Sequence, residues 1–227
     1  MRFVIVSIVV AAMMLVGCSN EVAKTLARAK AESNPVAALA IIRQAKSSFC
    51  EGEFHSSCYP PDDLLSAEDE YFPKAAKSGD AHVLRELFTS RSEKLVPLQT
   101  ELKSSVIERA RTSKDRELLI AAANIFGNES IGVINSVQQL AYLERAWAAG
   151  DDASAGSMAH VFVRRKDYEN AYLWSLRCVR SCNREDGVRE GEFVKQIQLG
   201  ELAKHLSQEQ ITKLQMDAAK SPSNDKS

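Results

Sequence analysis

The sequence predicts an all-α fold: a solenoid of helical hairpins, with a cysteine-clipped loop near its N-terminus. Three observations predict it. The 227 residues include only 10 Gly and 6 Pro, too few chain breakers for a many-turned β fold. Alanine, leucine and mixed charge recur at helical spacing, within an apolar content of 45% that suffices for a core. Finally, a basic residue and an alanine lead into a break and an aspartate three times over. The copies are Lys74-Ala-Ala-Lys-Ser-Gly-Asp80, Arg109-Ala-Arg-Thr-Ser-Lys-Asp115 and Arg145-Ala-Trp-Ala-Ala-Gly-Asp151. Asp80 to Asp115 spans 35 residues and Asp115 to Asp151 spans 36, the period of stacked two-helix units.

Taken in order, residues 1–17 read as a signal peptide, with one positive charge, an apolar run from Phe3 to Val16 and a small residue before Cys18. The run is shorter than the roughly 20 apolar residues a membrane-spanning helix needs. Leu15-Val16-Gly17-Cys18 resembles the bacterial lipobox, which implies lipidation at Cys18. Each buried methylene contributes about 0.8 kcal/mol, so several acyl chains would anchor the protein permanently. By the same resemblance, Ser19 in place of an aspartate implies the outer membrane. Helical sequence resumes at Glu21, leaving no long stalk between the anchor and the domain.

Residues 18–65 are expected to hold two helices and a disulfide loop. The helices are Glu21 to Glu32 and Val36 to Phe49, separated by a Ser33-Asn34-Pro35 break suited to capping. Apart from Cys18 the chain has Cys50, Cys58, Cys178 and Cys182, an even number in a sequence expected to be exported, which favours two disulfides. Three connectivities are open, and local pairing is favoured. Zinc is the competing reading, but Cys-x7-Cys with one histidine is not a zinc-finger spacing.

Residues 66–182 carry the repeats. Ser66-Ala-Glu-Asp69 has the spacing of a capping box, with Pro73 delaying or kinking the helix that it opens. Counted from each aspartate, positions +3, +4, +7 and +8 are apolar or small: Val83, Leu84, Leu87, Phe88; Leu118, Leu119, Ala122, Ala123; Ser154, Ala155, Met158, Ala159. At +11 stand Phe126 and Phe162, but Arg91 in the first copy. Trp147 and Trp174 read as core. After Cys182 come C-terminal capping helices over 183–220, with Ser207 and Gln210 at capping-box spacing, and then a disordered tail over 221–227.

Gly127-Asn-Glu-Ser-Ile-Gly-Val133, followed by Gln138 to Asp151, resembles a Sel1-like repeat, a subclass of the tetratricopeptide superfamily. Arg165-Lys-Asp-Tyr-Glu-Asn-Ala-Tyr-Leu-Trp-Ser175 resembles an ordinary tetratricopeptide turn. The loop's first glycine is displaced from the family position, and the match weakens outside 66–182. The resemblance implies a right-handed solenoid that binds proteins and shares no catalytic residues.

Function follows from these expectations. A formal charge of −1 excludes an electrostatic footprint for nucleic acid. The four histidines are scattered, and no nucleophile or phosphate-loop motif is present, so neither an enzyme, a cofactor, a metal nor a small-molecule substrate is expected. A protein partner would meet the first helices of the repeats along His82, Arg85, Thr89, Glu117, Asn124 and His160, with Ile120, Ala153 and Gly156 on the same stripe. Grouped charge reversal at Arg85 and Glu117 is expected to weaken capture without changing thermal stability. The whole reads as a lipid-anchored, periplasm-facing scaffold or assembly factor of an envelope machine for secretion, conjugation, pilus assembly or polysaccharide export. The alternative is a surface lipoprotein acting outward, in host-factor binding or plasmid exclusion.

Overall fold

A computed structural model describes residues 21–48, 60–182 and 199–219. Cys18, Cys50, His55 and Cys58 lie outside the described residues, as does the chain from 220 onward. The fold is all-α, with two-residue strands as its only sheet among the described residues. The chain falls into two units, divided between Val83 and Leu84.

The first unit contains α1 (21–31), α2 (Pro35–Ser48) and α3 (Asp62–Lys77). Asn34 Oδ1 accepts from the Val36 amide at 2.9 Å, which caps α2 with Pro35 in its first turn. Ala29, Ala38, Ile42 and Ala67 form a core, closed by Leu26, Ile41 and Tyr71. Above it Glu68 receives Arg43 Nε at 2.8 Å and the Lys46 ammonium. Burial pushes the Glu68 carboxyl up, but its bonds to Lys46 and Arg43 outweigh that and hold it below the usual value.

Helix α3 departs from expectation. It begins at Asp62, behind Pro61, so Ser66 to Asp69 lie inside it and form no capping box. The operative start signals are Pro61 and the acidic Asp62 and Asp63 in the first turn, where negative charge suits the helix dipole. The helix then runs on through Pro73 to Lys77.

The second unit continues α4 (Ala81–Thr89) and adds α5 (Val96–Ala110), α6 (Arg116–Phe126), α7 (Ser136–Ala148), α8 (Ala153–Arg164), α9 (Tyr168–Ser181), α10 (199–203) and α11 (Gln208–Ala219). Packing follows chain order: α5 on α6, α6 on α7, α7 on α8, α8 on α9, and α9 on α11. All twelve residues at the +3, +4, +7 and +8 positions are buried. Ile120, placed by its spacing on the outward stripe, is 7% exposed and belongs to the core. Trp147 and Trp174 meet edge to face at 5.1 Å, with the Arg177 guanidinium 4.3 Å from the Trp174 ring centre.

The repeated aspartates act as caps. Asp80, Asp115 and Asp151 accept from the amides of Val83 (3.0 Å), Leu118 (3.3 Å) and Ser154 (2.8 Å), and Asp167 does the same for Asn170 at 3.2 Å. The residue before three of these caps has left-handed backbone: Gly79 (φ 84°), Gly150 (φ 94°) and Lys166 (φ 58°). At the far end, the Ser207 amide donates to Gln210 Oε1 (2.8 Å) and the Gln210 amide to Ser207 Oγ (3.2 Å), a complete capping box. Cys178 and Cys182 form a disulfide, with their Cα atoms 4.9 Å apart. It closes at the end of α9 while the helix persists to Ser181.

Candidate binding groove

The residues expected to face a partner do two different things. Arg85 Nη1 lies 3.1 Å from both carboxylate oxygens of Glu117, and Asp151 Oδ1 lies 3.9 Å away. These residues come from α4, α6 and the turn before α8. Arg85 and Glu117 are therefore cross-braces between neighbouring first helices rather than unoccupied surface. Either single reversal would place like charges side by side and lower stability, whereas the grouped reversal keeps opposite charges facing each other.

Thr89 and Asn124 are also tied together, through Asn124 Nδ2 to Thr89 Oγ1 at 3.0 Å, but both remain on the wall of a groove. His82 sits in the first-unit part of α4, and His160 is exposed on α8; neither lines this groove. Gly156, also placed on the stripe, lies against α9: a Cβ there would stand 3.2 Å from Cys178 Sγ.

The groove has a volume of about 490 Å³. One wall is the end of α4 and its exit: Phe88, Thr89, Ser90 and Arg91. The opposite wall is Asn124, at the end of α6, with Gly127, Asn128, Glu129 and Ser130 of the following hairpin. Gln139 of α7 and Arg164 of α8 complete it. The lining is mostly polar, with two guanidiniums and one carboxylate.

The hairpin is a compact device. Gly127–Asn128 (β1) pairs antiparallel with Val133–Ile134 (β2) around a 3₁₀ turn, Glu129–Ile131. Asn128 Oδ1 caps that turn by accepting from the Ser130 amide at 2.9 Å, and Gly132 supplies the left-handed residue at φ 73°. Gly127 has another role. A Cβ there would come within 2.3 Å of Gln139 Nε2, so the absence of a side chain is what lets Gln139 lie against the hairpin. Gln139 Oε1 in turn accepts from Arg164 Nη2 at 3.0 Å.

Helix α5 contributes nothing to the lining, yet it holds both walls. Gln99, 1% exposed, donates through Nε2 to the carbonyls of Leu87 (2.7 Å) and Ser90 (2.9 Å) at the end of α4. One turn later, Lys103 Nζ donates to the Ile131 carbonyl in the hairpin at 2.9 Å. Arg145 supports α5 from the next unit, its Nη2 donating to the carbonyls of Ala110 (2.9 Å) and Ser113 (2.7 Å).

Beyond Thr89 and Asn124 on the expected stripe, the sequence carried one further sign of this groove. Arg91 stands at +11 from its aspartate, where the other copies have Phe126 and Phe162. Gln139, Arg164, Asn128, Glu129 and Ser130 had no such mark. Among the described residues no three His, Cys, Asp or Glu side chains gather as metal ligands, and no helix is long and apolar enough to cross a membrane. Compared with family models, curated proteins and solved structures, the chain matches none of them.

Proposed function

We propose that the chain is a lipid-anchored scaffold of a bacterial envelope machine, binding a protein partner from an outer-membrane tether that faces the periplasm. Its hairpins are read as a right-handed Sel1-like or tetratricopeptide-like solenoid. The observation that carries this reading is the set of ties between successive hairpins of the second unit. Arg85–Glu117, Thr89–Asn124, Arg145–Ala110 and Arg145–Ser113 join residues 32 or 35 positions apart, close to the sequence period. Helices stacked and braced in this way make an extended, pre-organised surface, the usual basis of recognition by repeat proteins. The lipobox-like Leu15-Val16-Gly17-Cys18 supports the tether, and the four cysteines that remain apart from Cys18 support an oxidising compartment.

Crosslinking and pull-down from membranes, with wild type beside Cys18→Ala, tests this. The expected result is one envelope complex recovered with wild type and lost with the variant, which shifts from the membrane to the soluble fraction. An unchanged membrane fraction for Cys18→Ala would remove the anchor, and failure to recover any complex with wild type would remove the scaffold.

A further inference from the structure

We propose that the groove between the end of α4 and the α6–α7 hairpin is a site for a peptide carboxylate, an α-carboxylate carried next to N–H donors. This deepens the scaffold reading and rests on it.

The charges point to a monoanion. Arg91 and Arg164 share the lining with one acid, Glu129. A guanidinium offers a planar fork of donors that matches a carboxylate with two parallel hydrogen bonds. Among the described residues Arg91 makes no hydrogen bond or ion pair, and Arg164 engages Gln139 through a single nitrogen. Glu129 repels a second negative charge on the ligand, which disfavours a phosphate dianion, and it offers an acceptor to a neighbouring N–H.

The departure from the repeat is informative. At +11 the other copies carry phenylalanine, and Phe126 stacks on Tyr142 at 5.7 Å. The first copy carries a cation instead, exposed on the wall of the groove. In the first copy a charge on the groove wall stands where the other two copies carry a phenylalanine. The volume of about 490 Å³ suits a short ligand. The polar lining does not suit an acyl chain. Gln99 and Lys103 hold the walls before any ligand arrives, so little ordering cost remains.

The test uses the full mature chain purified in detergent and immobilised. Two degenerate pools of N-acetylated hexapeptides are passed over it, one ending in a free carboxylate and one in an amide, and retained peptides are counted by mass spectrometry. The free-acid pool should be retained at least tenfold over the amide pool. Inorganic phosphate at equal concentration should not displace it. Arg91→Ala should reduce retention at least tenfold with an unchanged melting temperature. If Arg91→Ala lowers the melting temperature, Gly127→Ala takes its place: its backbone (φ −108°) accepts alanine, while the new Cβ displaces Gln139. Equal retention of the two pools, displacement by phosphate, retention unchanged by the substitution, or no retention by wild type would each overturn the site. The assay needs no native partner. Its failure beside a successful membrane pull-down would remove the groove ligand alone, and the reverse pattern would remove the envelope machine alone.

Discussion

At the scale of single residues, side chains with two or more partners decide the outcome. Glu68 is held below the ordinary carboxylate range by Lys46 and Arg43 despite its burial. Its folded value lies below its unfolded one, so its contribution is in place above the ordinary range and is lost as the pH falls through it. Glu68→Gln should therefore cost about 1–2 kcal/mol at pH 7 and progressively less as the pH falls through the lowered folded value. Melting curves of the two proteins across that range check this; an equal gap throughout would mean charge is not the cause. Arg85→Glu and Glu117→Arg should each lower stability, whereas the double exchange should recover about 0.5–1 kcal/mol, as read by a double-mutant cycle. Gln99→Ala leaves the Leu87 and Ser90 carbonyls without their bonds to Nε2, at a cost of about 1–3 kcal/mol in denaturant unfolding. The capping roles of Asp80, Asp115 and Asp151 were legible in sequence because an aspartate bonds amides two or three residues away. The Arg85–Glu117 brace was not, because spacing places a side chain on a face without saying what stands opposite.

At the scale of elements, hairpin turns are set by the residue before each cap. Gly79 and Gly150 supply left-handed backbone freely, while Lys166 adopts the same region with a Cβ. Lys166→Gly should stabilise the chain by about 0.5–1 kcal/mol, and Gly150→Ala should destabilise it by about 1 kcal/mol. Thermal melts showing the same sign for both would contradict this account of the turns. Helix periodicity was readable wherever a stripe was regular, which is why the twelve core positions of α4, α6 and α8 are all buried. Reading failed at the start of α3. There Pro61, Asp62 and Asp63 open the helix at the end of a segment expected to be clipped loop, and the Ser66 to Asp69 spacing imitated a later start. The groove was harder still, since its walls come from four helices and a hairpin, and only Arg91 broke a pattern.

At the scale of the molecule, the second unit is built by succession, each helix from α5 to α9 packing on the next and α11 packing on α9. Stability in such an array is local and additive. Truncation after Leu206 removes α11 and uncovers the face of α9 on which it packs. Hydrogen exchange should then quicken in α9 and the end of α8, while α6 keeps its protection. Uniform loss of protection through α6 would point to a single cooperative core instead.

The position of α5 has a further consequence. It touches no groove ligand, yet Gln99 and Lys103 join it to both walls. Binding and the integrity of α5 are thus two readings of one free energy, and linkage makes them reciprocal. A ligand that tightens the walls must slow exchange of the α5 amides from a distance. By the same factor, any substitution that loosens α5 must weaken the ligand, although it removes none of the ligand's contacts.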